Sequence, residues 1–174
     1  MARAGSAGRS IKGDVLVRRA VPEDLDELLD GYEAVAAERI HIGGEAPVDR
    51  ERRGRAWLDT MDPSTPGTSF VAVVDGKIVG QLGIHGEGRM DLGMWVAKEW
   101  RGKGVGTALM EAALGYAREH RAYKVSLEVW PHNEAAIALY ERFGFEREGY
   151  LRKHWRRRNG ELWDSVVMGL MLHE

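Results

Sequence analysis

The 174-residue chain contains no cysteine. Disulfides, thiolate nucleophiles and cysteine-bound zinc are thereby excluded, and the composition fits a reducing compartment. Long apolar runs are missing as well: none approaches the roughly 20 residues that a membrane-spanning helix needs. Nor does one sign of charge dominate. Lys and Arg number 25 against 27 Asp and Glu, a formal net charge of −2, which removes the electrostatic case for nucleic acid as the main partner. No histidine pair has the helical spacing of metal ligands and no carboxylate spacing suggests one, so no metal is expected. The opening "MARAGSAGRSIKG" carries positive charge without an apolar core, unlike a secretory signal. Its Gly, Ala, Ser and Arg predict a mobile tail over residues 1–13. Residues 14–174 are enough for one compact domain with its own core. The expectation is a cytoplasmic protein with no membrane and no nucleic-acid partner.

Glycine, by contrast, is plentiful, at 22 residues. Between the glycines the chain alternates readable elements. "DVLVRRA" reads as a first strand. "VPEDLDELLDGYEAVAAE" reads as a helix, with Pro22 suited to its first position and acids in its first turn. Leu25, Leu28, Leu29, Tyr32, Val35 and Ala36 share one face of it. The loop "RIHIGGEAPVD" leads to a second helix, "RERRGRAWLDTM", carrying Trp57, Leu58 and Met61. "TSFVAVVDGKIVGQLGIHGEG" is a hairpin turning at Asp75-Gly76, and "MDLGMWVA" is a further strand. A helix from about Val105 to His120 is expected to bury Val105, Ala108, Leu109, Ala112 and Tyr116. "YKVSLEVW" alternates, with Val125, Leu127 and Val129 to one side and Ser126, Glu128 and Trp130 to the other. "NEAAIALYERFGF" is a short helix with Ala136, Leu139, Tyr140 and Phe143 on one face and Gly144 as its C-cap. Two last strands, near Tyr150–Trp155 and Leu162–Leu172, meet at Asn159-Gly160. The order β-α-α-β-β-β-α-β-α-β-β predicts a single α/β domain, a mixed sheet with helices on both faces.

The stretch "EWRGKGVGTALMEAAL" places three alternating glycines between a strand and a helix. The first N–H groups of that helix lack intrahelical acceptors, its dipole is positive there, and glycines allow an anion close to the backbone. A diphosphate site is the reading. A P-loop is excluded, because no Lys-Ser/Thr pair follows the glycines. A G-x-G-x-x-G fingerprint fails as well, since its last position is Thr107 or Leu109. The pattern that fits is [QR]-x-x-G-x-[GA], as Arg101-Gly102-Lys103-Gly104-Val105-Gly106. It resembles the acetyl-CoA pyrophosphate loop of the GCN5-related N-acetyltransferases, the GNAT superfamily. A second signature, Asn133 followed by "AAIALYERFGF" with Tyr140 and Gly144-Phe145, is similar to that family's later motif. The strands "LGMWVA" and "LEV" stand where the family has two splayed central strands. The resemblance runs from about Val15 to Leu172 and implies a mostly antiparallel central sheet.

Carried over residue by residue, it implies that backbone N–H groups from Arg101 to Gly106, with Thr107 just beyond, hold the pyrophosphate. Arg101 and Lys103 would add charge-assisted contacts. Backbone groups of Trp95 and Val96 would pair with the pantetheine arm, and Asn133 would bond it from the other side. Acetyl-CoA is then the acyl donor, attacked directly by an amine. At neutral pH an α-amine (pKa about 8) is the easier nucleophile than a lysine (about 10.4). The resemblance implies that the Tyr140 phenol protonates the departing thiolate; as an apolar-face residue it is also suited to core packing. For the general base two carboxylates stand open. Glu128 has a place similar to that of the base in ribosomal-protein alanine N-acetyltransferases, yet suits a surface strand equally. Asp91 could relay a proton through water, or be a solvated turn residue. His85 and His132 are weaker candidates that could line the cleft.

Acceptor choice in such enzymes comes from the first two helices, their loop and the last hairpin. The phrase R-N-G-E-x-x-D, Arg158 to Asp164, followed by Met168, resembles a branch that acetylates the α-amine of free amino acids. A small-molecule amine is the expected acceptor. The rivals are a protein N-terminus and a non-catalytic acetyl-CoA-binding module. The basic run "RKHWRRR" reads either as a solvated strand edge or, with Trp155 and Trp163, as an interface in a homodimer.

Overall fold

The computed structural model describes residues 14–172; the tail expected over residues 1–13 lies outside the described residues. The strands are β1 (Leu16–Arg19), β2 (Gly67–Val74), β3 (Lys77–His85), β4 (Arg89–Val96), β5 (Lys124–Val129), β6 (Glu146–Arg156) and β7 (Leu162–Met171). The helices are α1 (Leu25–Ala37), α2 (Arg50–Met61), α3 (Val105–Glu119) and α4 (Glu134–Arg142). Their order is the one expected. Pro22–Asp24 forms a separate 3₁₀ turn before α1, tied down by Arg18, which grips the Asp24 carboxylate at 2.7 and 2.9 Å.

One seven-stranded sheet has the order β1-β2-β3-β4-β5-β7-β6. Every neighbouring pair is antiparallel except β4 and β5, which run parallel and pair only at Arg89↔Lys124, Met90↔Val125 and Asp91↔Ser126. Beyond Asp91 and Ser126 no ladder joins them. Side chains alternate across this sheet, so it carries a core on each face. Leu82, Ile84, Leu92, Val125, Leu127 and Met168 pack with α3 and α4. Val71 and Trp95 pack with α1 and α2 through Leu28, Leu29, Tyr32, Val35 and Trp57.

The Asp75-Gly76 hairpin has both residues left-handed, with φ of 48° and 75°, the geometry of a two-residue type I′ turn. The last hairpin is longer than its Asn-Gly suggested. Arg157 N–H donates to Glu161 O and Gly160 N–H to Arg157 O, at 2.8 and 2.9 Å, and only Gly160 turns left-handed. The α3 stripe is also wider than the periodicity indicated. Met110, Ala113, Leu114 and Ala117 are buried with Val105, Leu109 and Tyr116, while Ala108 and Ala112 stay half-buried. On α4, Ile137 is buried beside Tyr140. That helix ends as expected. Gly144 (φ 90°) donates to Glu141 O and Phe145 to Tyr140 O, at 3.0 and 3.1 Å, closing a Schellman motif.

Candidate active site

Where β4 and β5 part, a cavity of about 1090 Å³ opens. The β3–β4 ladder decides which backbone groups face it. Ala97 N–H donates to Val79 O at 2.8 Å, which makes Val96 and Gly80 a non-hydrogen-bonded pair. By alternation Met94 and Val96 turn their N–H and C=O groups away from β3, toward the gap, whereas Trp95 spends its own on Gln81. Val96 therefore turns its N–H to the gap, while its C=O on that side accepts from Arg101 Nε at 3.0 Å. The backbone groups of Trp95 point to β3 instead, and those of Met94 face the gap; the sequence marked the strand but not its pairing phase. The Trp95 indole lies on the other face, against Gly31, and its Nε1 has no hydrogen-bond partner among the described residues.

After β4 the glycines take two different roles. Gly102 and Gly104 have φ of 70° and 85°, a conformation that a Cβ disfavours. Gly106 is needed for space: a Cβ there would stand 3.0 Å from Leu139 Cδ2, so it lets α4 close on α3. Ala108 N–H, donating to Gly104 O at 3.0 Å, makes the first bond of α3. The donors before it, with Gly102, Gly104, Gly106 and Thr107 lining the cavity, form a helix N-terminus open to an anion. Val105 puts its side chain in the core and leaves its N–H at that terminus.

The Arg101 side chain is not free for a phosphate. Its Nη1 and Nη2 donate to the two oxygens of Glu38 at 2.7 and 2.8 Å, and Nε donates to Val96 O at 3.0 Å. This pair fastens the end of α1 to the loop and holds the Glu38 carboxyl below the usual glutamate range. Lys103 sits with its Nζ 5.1 Å above the Trp100 ring. Arg142, ending α4, lines the same cavity. Sequence reading passed over it, although a basic residue in the last turn beside a diphosphate loop was a usable signal.

Tyr140 is 6% exposed and lines the cavity. Burial pushes its phenol up to about 12, so it carries its proton throughout the neutral range. Asn133 is the N-cap of α4: its Oδ1 accepts from Ala136 N–H at 3.4 Å, and its Nδ2 reaches His41 O at 3.5 Å.

The opposite half of the cavity lies on the α1/α2 face of the sheet. Gly83 stands directly across from Gly93, so at that register position neither strand contributes a side chain to its floor. Arg53 and Trp57 from α2, with Trp130 and Trp155, wall it. Glu128 is the sole carboxylate among the lining residues. Its Oε2 accepts from Trp155 Nε1 at 3.0 Å and Ser165 Oγ at 2.9 Å, which aims the group. Asp91 lies apart. It pairs with Arg89 at 2.8 Å, where β4 and β5 are still bonded, and does not line the cavity. Of the two histidines considered, His85 lines it and His132 does not; His132 Nε2 lies 2.8 Å from Ile40 O. His41, missed in the sequence, also lines it, and burial together with the Arg101 charge lowers its pKa despite Glu38.

The R-N-G-E-x-x-D phrase builds the hairpin instead of touching the cavity. Asn159 Oδ1 accepts from Glu161 N–H, Glu161 from Trp163 Nε1, and Asp164 from Lys153 N–H and the Tyr150 hydroxyl. The hairpin then clasps the loop between α1 and α2. Arg157 Nη1 donates to Gly43 O at 2.8 Å, while Arg158 reaches Glu45 and Pro47 O at 3.0 and 2.9 Å. The basic run is otherwise an exposed edge strand. Arg157 is the exception, buried with its guanidinium 4.5 Å from the Trp163 ring centroid.

A family model described as "Acetyltransferase (GNAT) family" matches residues 32–145. The chain belongs to this family. Its GNAT relatives include an L-amino acid N-acetyltransferase of Escherichia coli, 35% identical over 119 residues that cover 64% of this chain and 73% of that protein. An L-methionine sulfoximine/L-methionine sulfone acetyltransferase of Pseudomonas aeruginosa is 28% identical over 78% of this chain and 82% of its own. Among solved GNAT structures, a ribosomal-protein-alanine N-acetyltransferase from Brucella melitensis superposes with a TM-score of 0.80 at 28% identity, covering 90% of this chain and 99% of that one. This GNAT chain is an acetyltransferase acting on an amine. Among the described residues no helix is long and apolar enough to cross a membrane, and no His, Asp and Glu cluster suits a metal.

Proposed function

We propose that this GNAT enzyme transfers an acetyl group from acetyl-CoA to the α-amine of a free, apolar amino acid. The observation that carries the reading is the acceptor chamber: one carboxylate, tryptophan walls, and a roof made by a loop clasped to the last hairpin. Such a roof suits a small molecule better than an extended peptide. The tryptophan faces suit an apolar side chain. The L-amino acid specificity of the Escherichia coli relative points the same way.

In this reading the N-terminal amides of α3 and Arg142 hold the phosphates. The cleft-facing groups of Met94 and Val96 bond the pantetheine arm, and one of their N–H groups meets the tetrahedral oxyanion. The amine nitrogen attacks the thioester carbonyl carbon, and Glu128 takes the amine proton. As the carbon–sulfur bond breaks, the Tyr140 phenol supplies a proton to the sulfur. The hydrogen bonds from Trp155 and Ser165 hold Glu128 on the acceptor face, which favours it over Asp91 as base.

The deciding assay is release of free CoA from acetyl-CoA with phenylalanine, methionine, short peptides, polyamines and aminoglycosides, with product masses confirmed. Turnover with the free amino acids is expected. Turnover with peptides alone would replace this reading by acetylation of a protein N-terminus, in line with the ribosomal-protein-alanine N-acetyltransferase named for the Brucella melitensis structure. Tight acetyl-CoA binding without turnover on any amine would make the chain a binding module.

A further inference from the structure

Arg53 is a cavity-lining cation that the acetyl-transfer chemistry leaves without a task. Among the described residues three arginines line the cavity: Arg53, Arg101 and Arg142. Arg101 is neutralised by Glu38, and Arg142 belongs to α4, on the diphosphate side. Arg53 is on α2, on the same side of the sheet as Glu128 and the paired glycines. Its Nη2 donates to the Tyr32 hydroxyl at 2.9 Å, and its Cζ lies 4.5 Å from the Tyr32 ring centroid and 5.9 Å from that of Trp57. The guanidinium is thus positioned by aromatic groups. Arg50 and Arg55 on α2 are ion-paired, whereas Arg52 and Arg53 have no ion pair among the described residues, and of these two only Arg53 lines the cavity. A planar guanidinium with spare donors in a chamber walled by tryptophans is suited to a bidentate carboxylate.

We infer that Arg53 binds the carboxylate of the acceptor, so that the chamber selects an amine with an α-carboxylate over the same amine without one. The inference rests on the amino-acid reading above and deepens it. Glu128 and Arg53 divide the two ends of a zwitterion: the carboxylate of the enzyme faces the amine, and the arginine faces the acid. Once the amine is acetylated its charge is gone, and the product remains attached at the Arg53 end alone. The absence of further carboxylates in the cavity among the described residues disfavours polycationic acceptors on the same grounds.

The test compares phenylalanine with phenylalaninamide, which keeps the ring and the α-amine and replaces the carboxylate by a neutral amide. kcat/KM is measured for both in the wild type, Arg53→Gln and Arg53→Lys; taking the ratio of ratios cancels the different basicities of the two amines. The wild type is expected to favour the acid at least tenfold, Arg53→Gln to lose that preference through KM, and Arg53→Lys to keep part of it. Equal losses on both substrates in Arg53→Gln would reduce Arg53 to packing on Tyr32 and Trp57 and overturn the inference. So would a wild type that acetylates acid and amide alike, although the free-amine reading would then survive. Turnover of peptides with neither monomer accepted would show that the amino-acid reading itself had failed, and the inference with it.

Discussion

Replacing Gly31 by alanine should destabilise the protein, although alanine is the best helix former and glycine among the worst. In the middle of an exposed helix the exchange gains up to about 1 kcal/mol. At Gly31 the new Cβ would stand 2.3 Å from one carbon of the Trp95 ring and 2.9 and 3.2 Å from two others. Ordinary carbon contacts begin near 3.5 Å, so a rigid ring that is 3% exposed must retreat by roughly 1 Å into packed surroundings. Overpacking of this kind costs about 1–3 kcal/mol, and a clash this deep belongs at the upper end. The net loss is then about 1–2 kcal/mol, or roughly 2–8 °C in Tm for a chain of this size. Gly115, inside α3, is the matched control: a Cβ there meets nothing within 4 Å, so Gly115→Ala should raise Tm by about 1–4 °C. Thermal melts and urea titrations of both variants decide the matter. Because Trp95 and Val96 share a strand, Gly31→Ala should also lower acetyl transfer. A Gly31→Ala protein that melts at or above the wild type would refute the claim that Trp95 is pinned by α1.

Tyr140→Phe should cut kcat by about 10²–10⁴-fold with little change in acetyl-CoA affinity by calorimetry; an unchanged rate would leave Tyr140 as core alone. Gly104→Val forces a β-branched residue to φ 85° and places its methyls at the diphosphate loop, so acetyl-CoA binding should weaken at least tenfold while the circular dichroism stays that of the native fold. Normal affinity in that variant would move the phosphate site elsewhere. Glu38 gives a pH prediction. Arg101 depresses the pKa of its carboxyl in the folded state, so the stabilisation is present above the unfolded value of about 4.3 and is lost as pH falls through the lower folded value. Glu38→Gln should therefore flatten the fall of Tm with acid below about pH 4.5; a parallel pH–Tm curve would deny the pair that role.

Element order was legible because each helix and strand carries its own period and punctuation: Pro22 before α1, Asp75-Gly76 in a hairpin, Gly144 closing α4. Widths of buried faces were not, since Met110 and Leu114 join Val105 and Leu109 in the same core and widen the face beyond the stripe that the periodicity marks. The strand–glycine loop–helix order was legible, but the phase of β4 was not, because which residues face the gap depends on register with β3. Arg101 shows the same limit. Its motif position suggests phosphate, and only the approach of Glu38 from 63 residues away in sequence shows that the guanidinium is already engaged. Arg53 and His41 were silent in the sequence for the same reason. Neither lies in a motif, and each gains meaning from what the fold brings beside it.

The facing pair Gly83 and Gly93 has a consequence for how such an enzyme diversifies. Position 93 is in ordinary extended backbone, and an added Cβ would touch nothing within 4 Å. A larger residue there would leave the core and the ladder as they are and take its volume from the acceptor chamber. On the proposed reading, acceptor size is therefore encoded where the requirement to stay folded exerts little restraint, in contrast to positions such as 31 or 106, where one methyl disturbs packing. Substrate range can drift at residue 93 by single steps without the loss of stability that usually accompanies a change of function. A series from alanine to leucine at that position would shorten the list of accepted amines one size at a time, on a scaffold whose melting temperature hardly moves.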